Sequence, residues 1–283
     1  MYSLPKKRFF SLGKRRVAHL LEGDGSPALF IHGFPTTSFL FSEIIPAMAH
    51  MGFLCGAPDL MGLGDTLVPN QQDMGIESQG TFLYQYHREL FGQPRALVVG
   101  HELGAALALT LALQKPGMVR GLVLINPLFF DSWPTGAMTP LKRLARFPLL
   151  FHGLLRSGIG LRNMEKTLLG GFYDLPSAPR FVTEFIRPFR NSTSSHERLR
   201  NLLLDLNPKL TNTFSQHLNR VKIPTLIVHG EKDPFIPISD SHRLAGAMPG
   251  ASMVTLRECG HFPPAEQPEI VASLITQFAH KLP

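Results

Sequence analysis

Val98-Val99-Gly100-His101-Glu102-Leu103-Gly104-Ala105-Ala106 decides how this chain is read. The apolar residues 96–99 predict a strand, and the small, apolar run 104–113 predicts a helix. Between them stands Gly-x-Glu-x-Gly. A strand that turns directly into a helix, with glycines flanking one exposed side chain, is the geometry of a nucleophile elbow. The glycines serve a strained turn and a close approach of helix to strand. Here the presented group is the carboxylate of Glu102, where a serine, cysteine or aspartate is the expectation.

The surrounding sequence alternates in the same way. Arg8–Leu12 and residues 16–21 predict two short strands joined at Gly13-Lys14, and Gly23-Asp24-Gly25 predicts a further turn. Residues 28–31 form a continuous apolar run suited to a parallel strand buried on both faces. A helix follows from the Thr36-Thr37-Ser38 cluster to about His50, then a strand over 52–57. A helix over 77–91 leads into the elbow strand, and residues 122–125 form the next strand. From 129 to 219 the pattern is helical, broken by Pro and Gly, with Arg and Lys in excess. Strands return at 225–228 and 252–256, each followed by a helix, near 239–247 and at Pro268–His280. This alternation implies an α/β fold with a mostly parallel, doubly wound sheet. Residues 1–128 and 220–283 are then the core domain, and 129–219 an inserted helical cap.

Composition narrows the function. At 283 residues, 44% hydrophobic and 17% charged, the chain has the make-up of a globular protein with a large core. Its formal charge of +7 permits anionic partners. Nucleic acid is disfavoured because no binding module motif is present. Cys55 and Cys259 are far apart and form no Cys-x-x-Cys pair, which points to a reducing, cytoplasmic compartment rather than a disulfide or zinc scaffold. No apolar run of leader length follows the basic cluster Lys6-Lys7-Arg8. His101-Glu102 is no zinc motif, because Ala105 stands where a second histidine is required. No cofactor or metal is expected.

Three polar residues fall just beyond strand ends, where open α/β sheets bind ligands. Glu102 follows the elbow strand. Asp233 follows 225–228, within His229-Gly230-Glu231-Lys232-Asp233. His261 follows 252–256, within Glu258-Cys259-Gly260-His261-Phe262. Singly, Asp233 reads equally as a turn or N-cap residue and His261 as a loop histidine. Together they give the order nucleophile, acid, histidine that belongs to one hydrolase architecture.

With those residues in place, the chain resembles the α/β-hydrolase fold superfamily over nearly its whole length. His32-Gly33-Phe34-Pro35-Thr36-Thr37-Ser38 and Pro58-Asp59-Leu60-Met61-Gly62-Leu63-Gly64 most resemble the epoxide hydrolase and haloalkane dehalogenase branch. That resemblance implies a covalent ester on the nucleophile, later released by a histidine-activated water. It assigns Glu102 the nucleophile's place, Asp233 the acid's and His261 the base's, with the Phe34 and Leu103 N–H groups as the oxyanion hole. The chain departs from the branch in three ways. Glutamate carries one methylene more than aspartate, moving the carboxylate by about 1.5 Å. The halide-holding Trp and Asn of dehalogenases are here Leu103 and Phe34. Epoxide hydrolases present two cap tyrosines, whereas Tyr173 is the only one in 129–219.

Three roles for Glu102 stay open on the sequence: covalent nucleophile, acid–base group of a lyase, isomerase or cyclase, or a residue in an inactive binding protein. His32, His101, Phe129, Trp133, Tyr173 and Phe262 are candidates for the pocket wall. The expected partner is a small to medium hydrophobic molecule. Lys142, Arg143, Arg146 and Arg156, mixed with Leu, Phe and Ile, suit a membrane-surface helix or a cap helix over the site, and the cap reading is favoured.

Overall fold

The computed structural model describes residues 5–130, 132, 134–173, 176–190, 192–206, 215 and 217–283. Eight strands form one sheet: β1 (Arg8–Leu12), β2 (Arg15–Glu22), β3 (Ser26–Ile31), β4 (Phe53–Pro58), β5 (Ala96–His101), β6 (Val119–Ile125), β7 (Thr225–Gly230) and β8 (Ala251–Leu256). Their order is β1-β2-β4-β3-β5-β6-β7-β8. The pairs β1/β2 and β2/β4 are antiparallel and the remaining five are parallel. All six residues of β5, and all six of β7, are buried. Because strand side chains alternate in direction, burial of every residue means that both faces are covered. That is why both segments centre on apolar residues, Leu97 to Val99 in β5 and Leu226 to Val228 in β7.

Helix α1 (Ile44–His50) packs on the C-terminal helix Pro268–His280, and α2 (Ile76–Phe91) packs on α3 (Leu103–Gln114). The single helix expected from 36 to 50 is divided into a 3-10 turn, Ser38–Phe41, and α1. Two causes are visible. The Ser38 N–H and hydroxyl both donate to Asp59 Oδ1, and Pro46 has no N–H with which to bond a preceding turn. Strand β6 begins three residues earlier than the sequence suggested. Gly121, inside the strand, is a point of close packing: a Cβ on it would sit 2.5 Å from Leu282.

Between β6 and β7 the described residues form five α-helices: α4 (Thr139–Leu144), α5 (Pro148–Arg156), α6 (Ile159–Leu169), α7 (Ala178–Ile186) and α8 (Thr193–Asp205). They contribute their own apolar residues, Phe151, Phe181, Phe185 and Leu202 among them, to the same core cluster as the sheet. Among the described residues no helix is long and apolar enough to cross a membrane. Cys55 and Cys259 are buried free thiols, each pushed up in pKa by burial.

Candidate active site

Strand β5 ends in a backbone that only a clamped turn can hold. Glu102 has φ 53° and ψ −114°, outside the regions that non-glycine residues ordinarily occupy. The turn is tied to the end of β6: the Glu102 N–H donates to the Ile125 carbonyl at 3.1 Å, and the Leu128 N–H donates to the Glu102 carbonyl at 3.2 Å. A Cβ on Gly100 would lie 2.3 Å from the Gly104 carbonyl oxygen, and one on Gly104 would lie 2.0 Å from that of Ile31. Backbone cannot yield that far. Gly104→Ala is therefore expected to cost about 3 kcal/mol or more, read as a drop in the urea midpoint.

The Glu102 side chain is buried and folds back on its own turn. Its Oε2 accepts from the Phe34 N–H at 2.7 Å and the Leu103 N–H at 2.5 Å. Gly33 permits this approach, since a Cβ there would meet Oε2 at 2.4 Å. The second oxygen, Oε1, is buried and has no hydrogen-bond partner among the described residues. Burial raises the Glu102 pKa from 4.5 to about 7, against the pull of the two N–H donors and the charge of His261.

His261 and Asp233 form a tight pair, with His261 Nδ1 2.8 Å from Asp233 Oδ2. Asp233 Oδ1 accepts from the Phe235 and Ile236 N–H groups, and Oδ2 accepts from Asn126 Nδ2 at 2.6 Å. Burial alone would raise the Asp233 pKa, but the His261 charge and these donors hold it well below the carboxylate range. Burial likewise opposes the charged form of His261, and Asp233 outweighs it, so the imidazole pKa is raised. The His261 ring meets Phe235 and Phe262 edge-on, at centroid distances of 4.9 and 4.8 Å. With Nδ1 engaged, Nε2 is the nitrogen left for chemistry.

A cavity of about 300 Å³ opens above these groups. The core supplies Phe34, Pro35, Glu102, Phe235 and His261, while the helical segment supplies an apolar wall including Met138, Leu141, Leu144, Leu154, Met164 and Leu168. Thr135 lines it too and is buried; Asn163 and Thr167 line it from exposed positions.

The structure thus brings Glu102, Asp233, His261, Phe34 and Leu103 together. Five of the residues suggested for the pocket wall lie elsewhere. His32 is a loop tie: its Nε2 accepts from the Leu60 N–H at 2.9 Å, and Nδ1 then donates to the Gly33 carbonyl. His101 Nε2 lies 2.7 Å from the His261 carbonyl oxygen, anchoring the histidine loop. Burial lowers their pKa values to about 4 and about 3, so both are neutral. Phe129 is packed in the core, and Phe262 backs the His261 ring among Phe172 and Phe185. The Tyr173 side chain is about half exposed, and its N–H donates to Glu266. Trp133 lies outside the described residues. Two contributors went unrecognised in the sequence: Phe235, in the loop after Asp233, and Asn126. Asn126 directly follows β6 at φ 41° with its amide donating to Asp233 and its Oδ1 accepting from the Gly230 N–H. Its place at a strand end was the available signal.

Known proteins are similar to this chain over nearly its whole length. The Haloalkane dehalogenase 2 of Mycobacterium tuberculosis (strain ATCC 25618 / H37Rv) is 27% identical over 277 residues, covering 96% of this chain and 94% of that protein. Two solved structures superpose over nearly the whole chain. One is a putative lipase from Acinetobacter baumannii AYE, with TM-score 0.81, 22% identity, and 98% and 91% of the two chains covered. The other is the epoxide hydrolase CorEH, with TM-score 0.80, 19% identity, and 97% and 98% covered. At these identities the two structures bear on the fold alone. The family model described as alpha/beta hydrolase fold matches residues 27–268, the span that holds the elbow, the Asp–His pair and the helical segment between β6 and β7; the chain belongs to that family.

Proposed function

We propose that the protein is a hydrolase that breaks a bond at a saturated carbon, as in an epoxide or an alkyl halide, with Glu102 as nucleophile. One observation carries this reading: Glu102, a residue of the cavity lining, occupies both the Phe34 and Leu103 N–H groups with Oε2 and leaves Oε1 buried without a hydrogen-bond partner among the described residues. An acyl-transfer enzyme needs those N–H groups free for the oxyanion of its substrate. Here they hold an oxygen of the protein itself. That arrangement suits a displacement followed by hydrolysis of the enzyme's own ester.

In the first step Glu102 Oε1 bonds to the substrate carbon as the carbon–halogen or carbon–oxygen bond breaks, its electron pair leaving with the halide or the epoxide oxygen. The epoxide oxygen stays on the product and takes up a proton. In the second step His261 Nε2 removes a proton from water, and the hydroxide adds to the Glu102 carboxyl carbon. The charge develops on Oε2, already between the Phe34 and Leu103 N–H groups. Collapse expels the product oxygen, which takes the proton back from His261, and the restored carboxyl releases its own proton. Asp233 keeps Nδ1 engaged throughout and stabilises the imidazolium. The segment 129–219 serves as the cap, its apolar wall favouring a hydrophobic substrate.

Dehalogenase-type Trp and Asn donors are absent from positions 103 and 34, so leaving-group stabilisation must come from the cavity. Thr135, whose side chain is buried in that wall, takes this role. Thr135→Val is expected to lower kcat roughly tenfold with little change in KM, measured by steady-state turnover of the best epoxide or halide in a substrate panel.

The pKa of about 7 also suits a general acid–base, which is the second reading. A single turnover in H2-18O separates the two. The covalent route places the heavy oxygen in the Glu102 carboxylate and leaves the first product unlabelled. Label in the first product alone rejects it.

A further inference from the structure

Helix α5 and the residue before it leave an apolar ridge in the open. Phe147 is 59% exposed, Leu149 88% and Leu150 62%. At 100° per residue, Leu149, Leu150 and Gly153 fall on the side of α5 away from Phe151 and Leu155, which are buried. The helix is therefore apolar on two sides, and only one of them meets the core. Adjacent large apolar residues in water mark an interaction surface.

The charge beside the ridge is mostly positive, with Glu197 of α8 engaged by His152 and Arg200. Residues 139–169 contain six cations (Lys142, Arg143, Arg146, Arg156, Arg162 and Lys166) and one acid, Glu165, a net of +5 within a chain of +7. Glu165 is already paired with Arg190. Arg146 directly precedes Phe147, and Arg156, seven positions after Leu149, shares its side of the helix. Both arginines are exposed.

We infer that this face seats the protein on an anionic membrane surface, with Phe147, Leu149 and Leu150 at the acyl boundary and the flanking arginines at the headgroup phosphates. The sign of the charge selects this occupant. A second copy docking through the same face would set the exposed Arg146 and Arg156 of one against those of the other. Placement adds a reason: α4, α5 and α6 also supply Leu144, Leu154 and Met164 to the cavity wall. Seating on lipid brings that cavity close to the phase in which an apolar substrate concentrates.

The test is co-sedimentation of the full chain with vesicles of equal parts phosphatidylglycerol and phosphatidylcholine, against phosphatidylcholine alone, at low and high salt. Binding is expected to the anionic vesicles only and to weaken with salt. Leu149→Ser with Leu150→Ser should weaken it at least roughly tenfold, and Arg146→Ser or Arg156→Ser roughly fivefold each. Both leucines are exposed, so an unchanged melting temperature serves as the folding control. The inference is overturned if the wild-type chain stays unbound at low salt, or if the double leucine variant binds as the wild type does. It is equally overturned if the chain is a dimer that the leucine variant disperses.

Discussion

His261→Gln, mixed with epoxides and alkyl halides, should gain the mass of one substrate residue on Glu102 while the wild-type protein turns the same compounds over. The two steps of the proposed reaction ask different things of the protein. Displacement needs Oε1 free and the substrate held above it. Hydrolysis of the ester needs a base within reach of water, and that base is His261 Nε2. Glutamine preserves polarity and approximate volume but cannot take the proton. Loss of a positioned base typically costs a factor of about 10²–10⁴, enough for the ester to accumulate on a minutes timescale when turnover was about one to a hundred per second. Intact-mass spectrometry detects the adduct, and peptide mapping should place it within residues 96–114. No adduct with any electrophile in the panel would sink the covalent reading.

Glu102→Gln should abolish turnover yet make the protein more stable at alkaline pH. The folded-state pKa of about 7 lies above the ordinary 4.5, so the folded chain favours the protonated carboxyl. The stability associated with that preference is complete below about pH 4.5 and is lost as pH rises through 7. The difference corresponds to about 3 kcal/mol at pH 8 and above. Glutamine carries no charge to desolvate, and its amide oxygen can accept from the Phe34 and Leu103 N–H groups. The variant should then exceed the wild type in stability by about 2–3 kcal/mol at pH 8, with the gap closing towards pH 5. Chemical denaturation across that range measures it. A gap independent of pH would show that Glu102 is not the buried, high-pKa carboxylate described above. Because the nucleophile must be ionised and His261 neutral, wild-type turnover should rise with pH through about 7.

The site was legible wherever a strand end alone decided a residue's place. β5 and β7 centre on apolar residues and β8 reads as a short strand before a turn, so Glu102, Asp233 and His261 could be placed at the carboxyl edge without knowing any contact. The Phe34 and Leu103 N–H groups came from the family resemblance rather than from any strand end, and both donate to Glu102 in the structure. The pocket wall was not legible. Its residues come from helices whose inward and outward faces are both apolar, as α5 illustrates, and the pattern that marks an inner face is lost when both sides carry leucine. His32 and His101 misled for a different reason. A polar ring beside a strand end looks free in sequence, and only the fold brings the Leu60 N–H and the His261 carbonyl to meet it. Asn126, just after β6, was passed over because no neighbouring residue in the sequence ties it to the site. Its bonds to Asp233 and Gly230 span more than a hundred positions.

The clamp around Glu102 acts only on the main chain: Gly100, Gly104, Ile125 and Leu128 hold the turn without touching the side chain's functional group. The scaffold is thus indifferent to what it displays. On the proposed mechanism a change of side chain at 102 would alter the reaction on offer while the main-chain contacts of the strand and helix stay available, so the position works as a socket. Exchanging Glu102 for Asp or Ser in turn would read how closely the cavity matches the longer carboxylate.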